Sequence, residues 1–107
     1  MERRVFERTP VNLYVSFYHS KLSYSGIVSN LSRNGMCIET KMNFPLKTKL
    51  EIVVLARGEV LKIPVTVTVS RLIENSNVFY GLGTELIVQP PNYKKVISSF
   101  VHSNLLN

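Results

Sequence analysis

Hydrophobic residues along much of this chain recur at every second position. Val11, Leu13, Val15 and Phe17 alternate with Asn12, Tyr14, Ser16 and Tyr18, as expected of a strand with one buried face, and Pro10 marks its start. Lys21 to Ser29 reads as a second strand around Gly26, and the polar cluster Asn30 to Gly35 breaks the pattern before Met36, Ile38 and Thr40 resume it. This predicts a hairpin with a special turn. Phe44-Pro45 marks another break, Leu50 to Leu55 gives a fourth strand, and Arg57-Gly58-Glu59 is a short turn into Val60,. Val65, Val67 and Val69 alternate with Thr66, Thr68 and Ser70 in the clearest strand of the sequence, since β-branched residues suit a pleated surface. Pro64 belongs near an edge or a bulge because it cannot donate to a ladder. A loop at Glu74 to Asn77 leads to a last strand from Val78 to Val88, where Gly81 and Gly83 permit a bend or a close approach,.

Six closely spaced strands need their edges covered, and a meander that closes antiparallel into a barrel does this better than a parallel α/β sheet. After Pro90-Pro91 the period changes: Tyr93, Val96, Ile97, Phe100, Val101 and Leu105 are spaced as one face of an amphipathic helix,. The fold expected is mainly β, a six-stranded antiparallel β-barrel over residues 10–107 with a C-terminal α-helix from about residue 91. Residues 1–9 read as a flexible polar arm outside the core.

Composition narrows the chemistry. With 107 residues and 45% hydrophobic content, one core is expected,. All seven acids are Glu, at positions 2, 7, 39, 51, 59, 74 and 85, so chemistry that needs an aspartate is excluded. Thirteen Lys and Arg give a formal charge of +6, which favours phosphate-bearing partners or anionic surfaces without choosing among them,. Cys37 is the single cysteine, which excludes an internal disulfide framework and fits a cytoplasmic location. No apolar run approaches the length of a membrane span, and no apolar segment follows the charged Glu2, Arg3 and Arg4,.

Arg4 and Arg8 set the spacing R-x-x-x-R just before the first strand, and Asn30, Leu31, Ser32, Arg33, Asn34 and Gly35 set N-x-S-x-x-G after the second. In this order, with one strand pair between them and a barrel-plus-helix pattern behind, the two motifs resemble the signature of PilZ domains. The resemblance covers nearly the whole chain, and Val67 to Arg71 and Tyr80 to Leu86 resemble that family's closing strand pair. It implies a bacterial receptor or adaptor that binds cyclic di-GMP through Arg3, Arg4, Arg8, Asn30, Ser32 and Gly35 and acts on an effector protein. It implies no enzyme activity, metal or cofactor beyond that ligand. Planar guanidinium groups suit both phosphates and the O6 and N7 acceptors of guanine. Asn30 brings an acceptor and a donor, Ser32 a hydroxyl, and Gly35 torsions closed to other residues. Asn30 stands where many members carry Asp. By the same resemblance, Arg3, directly before the first motif, implies a stacked pair of ligands rather than one, and Arg71 is a further candidate contact.

Blander readings stand beside these. Arginines on an arm can be a solvated tail, and Asn30 to Gly35 an ordinary loop bonded to its own backbone. Asn30-Leu31-Ser32 is formally a glycosylation acceptor, but no secretory segment supports it. Cys37 in a strand reads as a buried inert thiol, and His19 and His102 lack the company of a metal site. Gly81-x-Gly83 lacks the third glycine of a dinucleotide fingerprint. Phe17 and Phe79 are expected in the core. The alternatives to a cyclic di-GMP receptor are a PilZ-like interaction module without ligand, or a small basic barrel for single-stranded nucleic acid, with surface tyrosines in its favour.

Overall fold

The computed structural model describes residues 8–56, 58–73, 79–95 and 98–99. Six strands run through them: β1 (Thr9–His19), β2 (Leu22–Ser32), β3 (Gly35–Thr40), β4 (Lys49–Ala56), β5 (Glu59–Leu72) and β6 (Tyr80–Leu86). All pairings are antiparallel, and the barrel closes in the order β1-β2-β3-β6-β5-β4. The simple meander expected from the sequence is therefore corrected. Two three-stranded meanders meet, β6 on β3 and β4 on β1, so residues 41–48 cross an end of the barrel between them.

That crossing is held by a residue read from the sequence only as a break. Phe44 is buried and meets Phe17, His19 and Tyr24 edge-on at centroid distances of 5.2 to 5.8 Å, a favoured aromatic geometry. The other end carries Tyr93, fully buried, whose hydroxyl donates to the Ser32 carbonyl at 3.0 Å. Its amide donates to the Pro90 carbonyl, opening the helical residues 93–95 and 98–99. The rest of the predicted helical face lies outside the described residues, as does the loop at 74–77. Between the two ends lies a core of Val15, Phe17, Val28, Leu31, Ile38, Ile52, Ile63, Val65, Val67 and Leu82.

Two irregularities re-aim side chains. In β2 the pairing steps from Val28↔Ile38 to Asn30↔Cys37, which leaves Ser29 as an extra residue. Because side-chain direction has a period of two, this bulge turns Asn30 outward and Leu31 into the core. β2 thus runs on to Ser32, three residues past its expected end. In β5 the step from Val67↔Thr84 to Val69↔Gly83 makes Thr68 the extra residue, and its hydroxyl donates to the Gly83 carbonyl at 3.2 Å. Val67 is fully buried, whereas Val69 is 44% exposed. The unbroken Val65-Val67-Val69 alternation is corrected accordingly. Pro64 lies opposite Glu51 away from either bulge, and its carbonyl accepts from Ile87 beyond the end of β6. Its missing N–H faces that same side, where the ladder with β6 stops at Val65↔Leu86,.

Candidate functional site

The two bulges flank β3 and β6, and between them the outer surface of the barrel sinks into a groove of about 470 Å³. Strand register arranges its floor in cross-strand rows. One row runs Asn30, Cys37, Gly83, Val69; the next runs Ile27, Glu39, Gly81, Arg71. Both rows carry glycine on β6, so the middle of the groove is bare backbone. A Cβ on Gly81 would meet only Ile73, at 3.8 Å, and otherwise project into the open groove. One on Gly83 would press on Val69 at 3.2 Å. Gly83 thus makes the close approach expected of the glycine pair, Gly81 leaves open space, and together they shape a concave surface,.

Arg8 stands at the margin of the groove and draws the two sequence motifs together. Its guanidinium donates to Asn30 Oδ1 at 2.8 Å across 22 positions of sequence, and lies 3.7 Å from Cys37 Sγ. The bulge at Ser29 makes the first contact possible, since regular pairing would turn Asn30 inward. Cys37 is half-buried and lines the groove, which corrects its reading as a buried inert thiol: alternation with Met36 and Ile38 puts it on the outer face. Arg71 lines the opposite side, as its place in the late strand suggested. Arg3 and Arg4 lie outside the described residues.

Ser32 and Gly35 sit behind the groove and hold its turn. Ser32 is buried, accepts from the Asn34 amide at 3.3 Å and donates to the Gly35 carbonyl at 3.4 Å. Gly35 does not use left-handed torsions; among the described glycines only Gly58 does, at φ 77°. The reason for glycine at 35 is steric, because a Cβ there would overlap the Thr84 carbonyl of β6. The turn is tied further by Leu86 N to Asn34 O at 2.7 Å and Gln89 Nε2 to Arg33 O at 3.3 Å.

Among the described residues the groove is lined by two arginines, Arg8 and Arg71, and two glutamates, Glu39 and Glu85. The net basic charge of the chain is thus not concentrated there by the described residues. No group of three His, Cys, Asp or Glu suited to a metal ion occurs among them, nor any helix long and apolar enough to cross a membrane. Phe79 is 36% exposed rather than core, because it lies just before the start of β6 on the outer surface. Glu39, unlike Gly81 and Arg71 in its row, carried no motif that would have flagged it in the sequence.

No curated protein sequence matches the chain. Solved structures match it closely in shape. The PilZ domain with c-di-GMP of YcgR from Escherichia coli superposes with TM-score 0.72 at 15% identity, covering 95% of this chain and 91% of that one. The Bacillus subtilis inhibitor of motility (MotI/DgrA) gives 0.80 at 14% identity, with 100% of this chain covering 54% of that one. The K. pneumonia MrkH–c-di-GMP complex gives 0.75 at 15%, over 99% of this chain and 54% of that one. The chain thus spans about half the length of the latter two, and at these identities the likeness establishes the fold. The family model described as PilZ domain matches residues 2–103, nearly the whole sequence, and the chain belongs to that family.

Proposed function

We propose that this chain is a receptor for cyclic di-GMP that binds the ligand in the groove between the two bulges and passes the event to an effector protein. One observation carries the reading: Arg8 and Asn30, the meeting point of the two motifs, are hydrogen-bonded at 2.8 Å on the rim of a glycine-floored groove. Arg8 offers paired donors to phosphate or to a guanine edge, and Asn30 an amide to a base. Arg3 and Arg4, on the N-terminal arm, add charge beside the ligand. Ser32 and Gly35 serve the site by fixing the turn. Two of the structural relatives are described with c-di-GMP, which supports the same ligand here. The protein acts without catalysis, in the cytoplasm.

Titration calorimetry with cyclic di-GMP, against GMP as control, tests the reading. Micromolar or tighter affinity is expected, on the order of −8 kcal/mol or better. Arg8→Ala should weaken it by roughly ten-fold or more, the size of a charge-assisted hydrogen bond. Absence of binding, or binding that ignores Arg8→Ala and Arg4→Ala alike, would sink the proposal.

A further inference from the structure

Resting on cyclic di-GMP as the ligand, we infer that Glu39 reads the Watson–Crick edge of a guanine base lying on Gly81, with Arg71 reaching its O6 and N7 acceptors. The register supplies the geometry. Glu39 pairs with Gly81 on one side, and Gly81 with Arg71 on the other, so the two charged residues flank a bare glycine across about two strand spacings, on the order of 10 Å. Both line the groove, and neither side chain makes a hydrogen bond or ion pair among the described residues. A carboxylate and a guanidinium therefore face one another across open floor.

Guanine fits this pair through its own hydrogen-bond pattern. Its N1–H and N2 amino groups are adjacent donors, which a carboxylate accepts with its two oxygens, while O6 and N7 on the adjoining Hoogsteen edge accept from a guanidinium. Adenine reverses the first match, because its N1 is an acceptor and would face the carboxylate lone pairs. The floor suits a flat ring, since the open space above Gly81 is what a side chain would fill. The neighbouring row, about 7 Å away along the strands, carries Asn30 with Arg8 bonded to it, so the rest of the ligand meets Arg8 and Asn30 while this base lies beside Glu39. Glu39 is thereby a contact that sets base specificity, and it lies outside both sequence motifs.

The test compares cyclic di-GMP with cyclic di-IMP, whose bases lack only the N2 amino group, and with cyclic di-AMP, on the full chain and on Glu39→Gln, Glu39→Ala and Gly81→Val. Thermal melts verify folding of each variant. The unsubstituted protein should prefer cyclic di-GMP to cyclic di-IMP by about ten-fold or more, because a site built for a donor rejects the analogue lacking it. Glu39→Ala and Glu39→Gln should bring that ratio towards one. Gly81→Val should fold and lose affinity for all three ligands. Retention of the full preference in both Glu39 variants overturns the inference while leaving cyclic di-GMP as the ligand. Failure of the unsubstituted protein to bind cyclic di-GMP overturns both.

Discussion

At one end of β2 the chain turns through Ser20 and Lys21, both left-handed at φ 52° and 72°; at the other it turns through Arg33 and Asn34, neither of them left-handed. Each is a two-residue link, bounded by His19↔Leu22 and by Ser32↔Gly35. Two positive φ values match the twist of a hairpin, so the first turn closes on local geometry even though neither residue is a glycine. The second lacks that match and is tied instead from outside, by Leu86 and Gln89 on its backbone and by Tyr93 on the Ser32 carbonyl. The turn nearest the groove is thus a tertiary product, and the remote one a local product.

The largest expected break in that contrast is Gly35→Ala. The methyl group would overlap the Thr84 carbonyl, and backbone on both sides cannot yield cheaply. A loss of about 3 kcal/mol or more in denaturant unfolding is expected, at the upper end of overpacking effects. A loss under about 1 kcal/mol would show that β3 and β6 can part at this point and that the turn is looser than its contacts suggest.

Next comes Tyr93→Phe, which leaves the Ser32 carbonyl without this buried donor and should cost about 1–3 kcal/mol,. The same residue gives a signature in pH. Burial pushes the Tyr93 hydroxyl up to about 12 from a usual value near 10. Between those values the unfolded chain sheds a proton that the folded protein retains. The contribution is therefore complete below about pH 10 and is lost as pH rises through about 12. Melting temperatures from pH 9 to 12 should fall less steeply in Tyr93→Phe than in the unsubstituted protein. Parallel curves would contradict the assignment.

The smallest effect belongs to the local turn. Lys21→Gly removes a side chain from left-handed backbone but adds freedom to the unfolded chain, so a gain of at most about 1 kcal/mol is expected in the same unfolding experiment. A loss as large as that of Gly35→Ala would erase the distinction between the two ends of β2.

Much of this protein was legible in its sequence because strand alternation is a local property. Val15 and Phe17, Ile38, Val65 and Val67 declare their buried face through spacing alone, and the structure buries them all. The same rule misplaced Val69 by a side-chain direction, whereas Cys37 was misread from its residue type against the alternation of Met36 and Ile38. A bulge shifts the period by one without changing composition, so Val69 cannot be told from Val67 by its neighbours. Phe44 was hidden differently, since a single aromatic residue beside a proline has no periodicity to reveal that it plugs a barrel end.

Six strands and the order of two short motifs are written in the sequence, because alternation and torsional preference are properties of each residue in its local run. Only the tertiary structure decided that β6 lies against β3 and β4 against β1, since strand order depends on which edges meet after the chain has crossed the barrel. That decision explains Gly35, whose need is the Thr84 carbonyl rather than its own torsions. It also puts Gly81 between Glu39 and Arg71, because Glu39 meets the β5–β6 hairpin only when the last strand inserts beside the third.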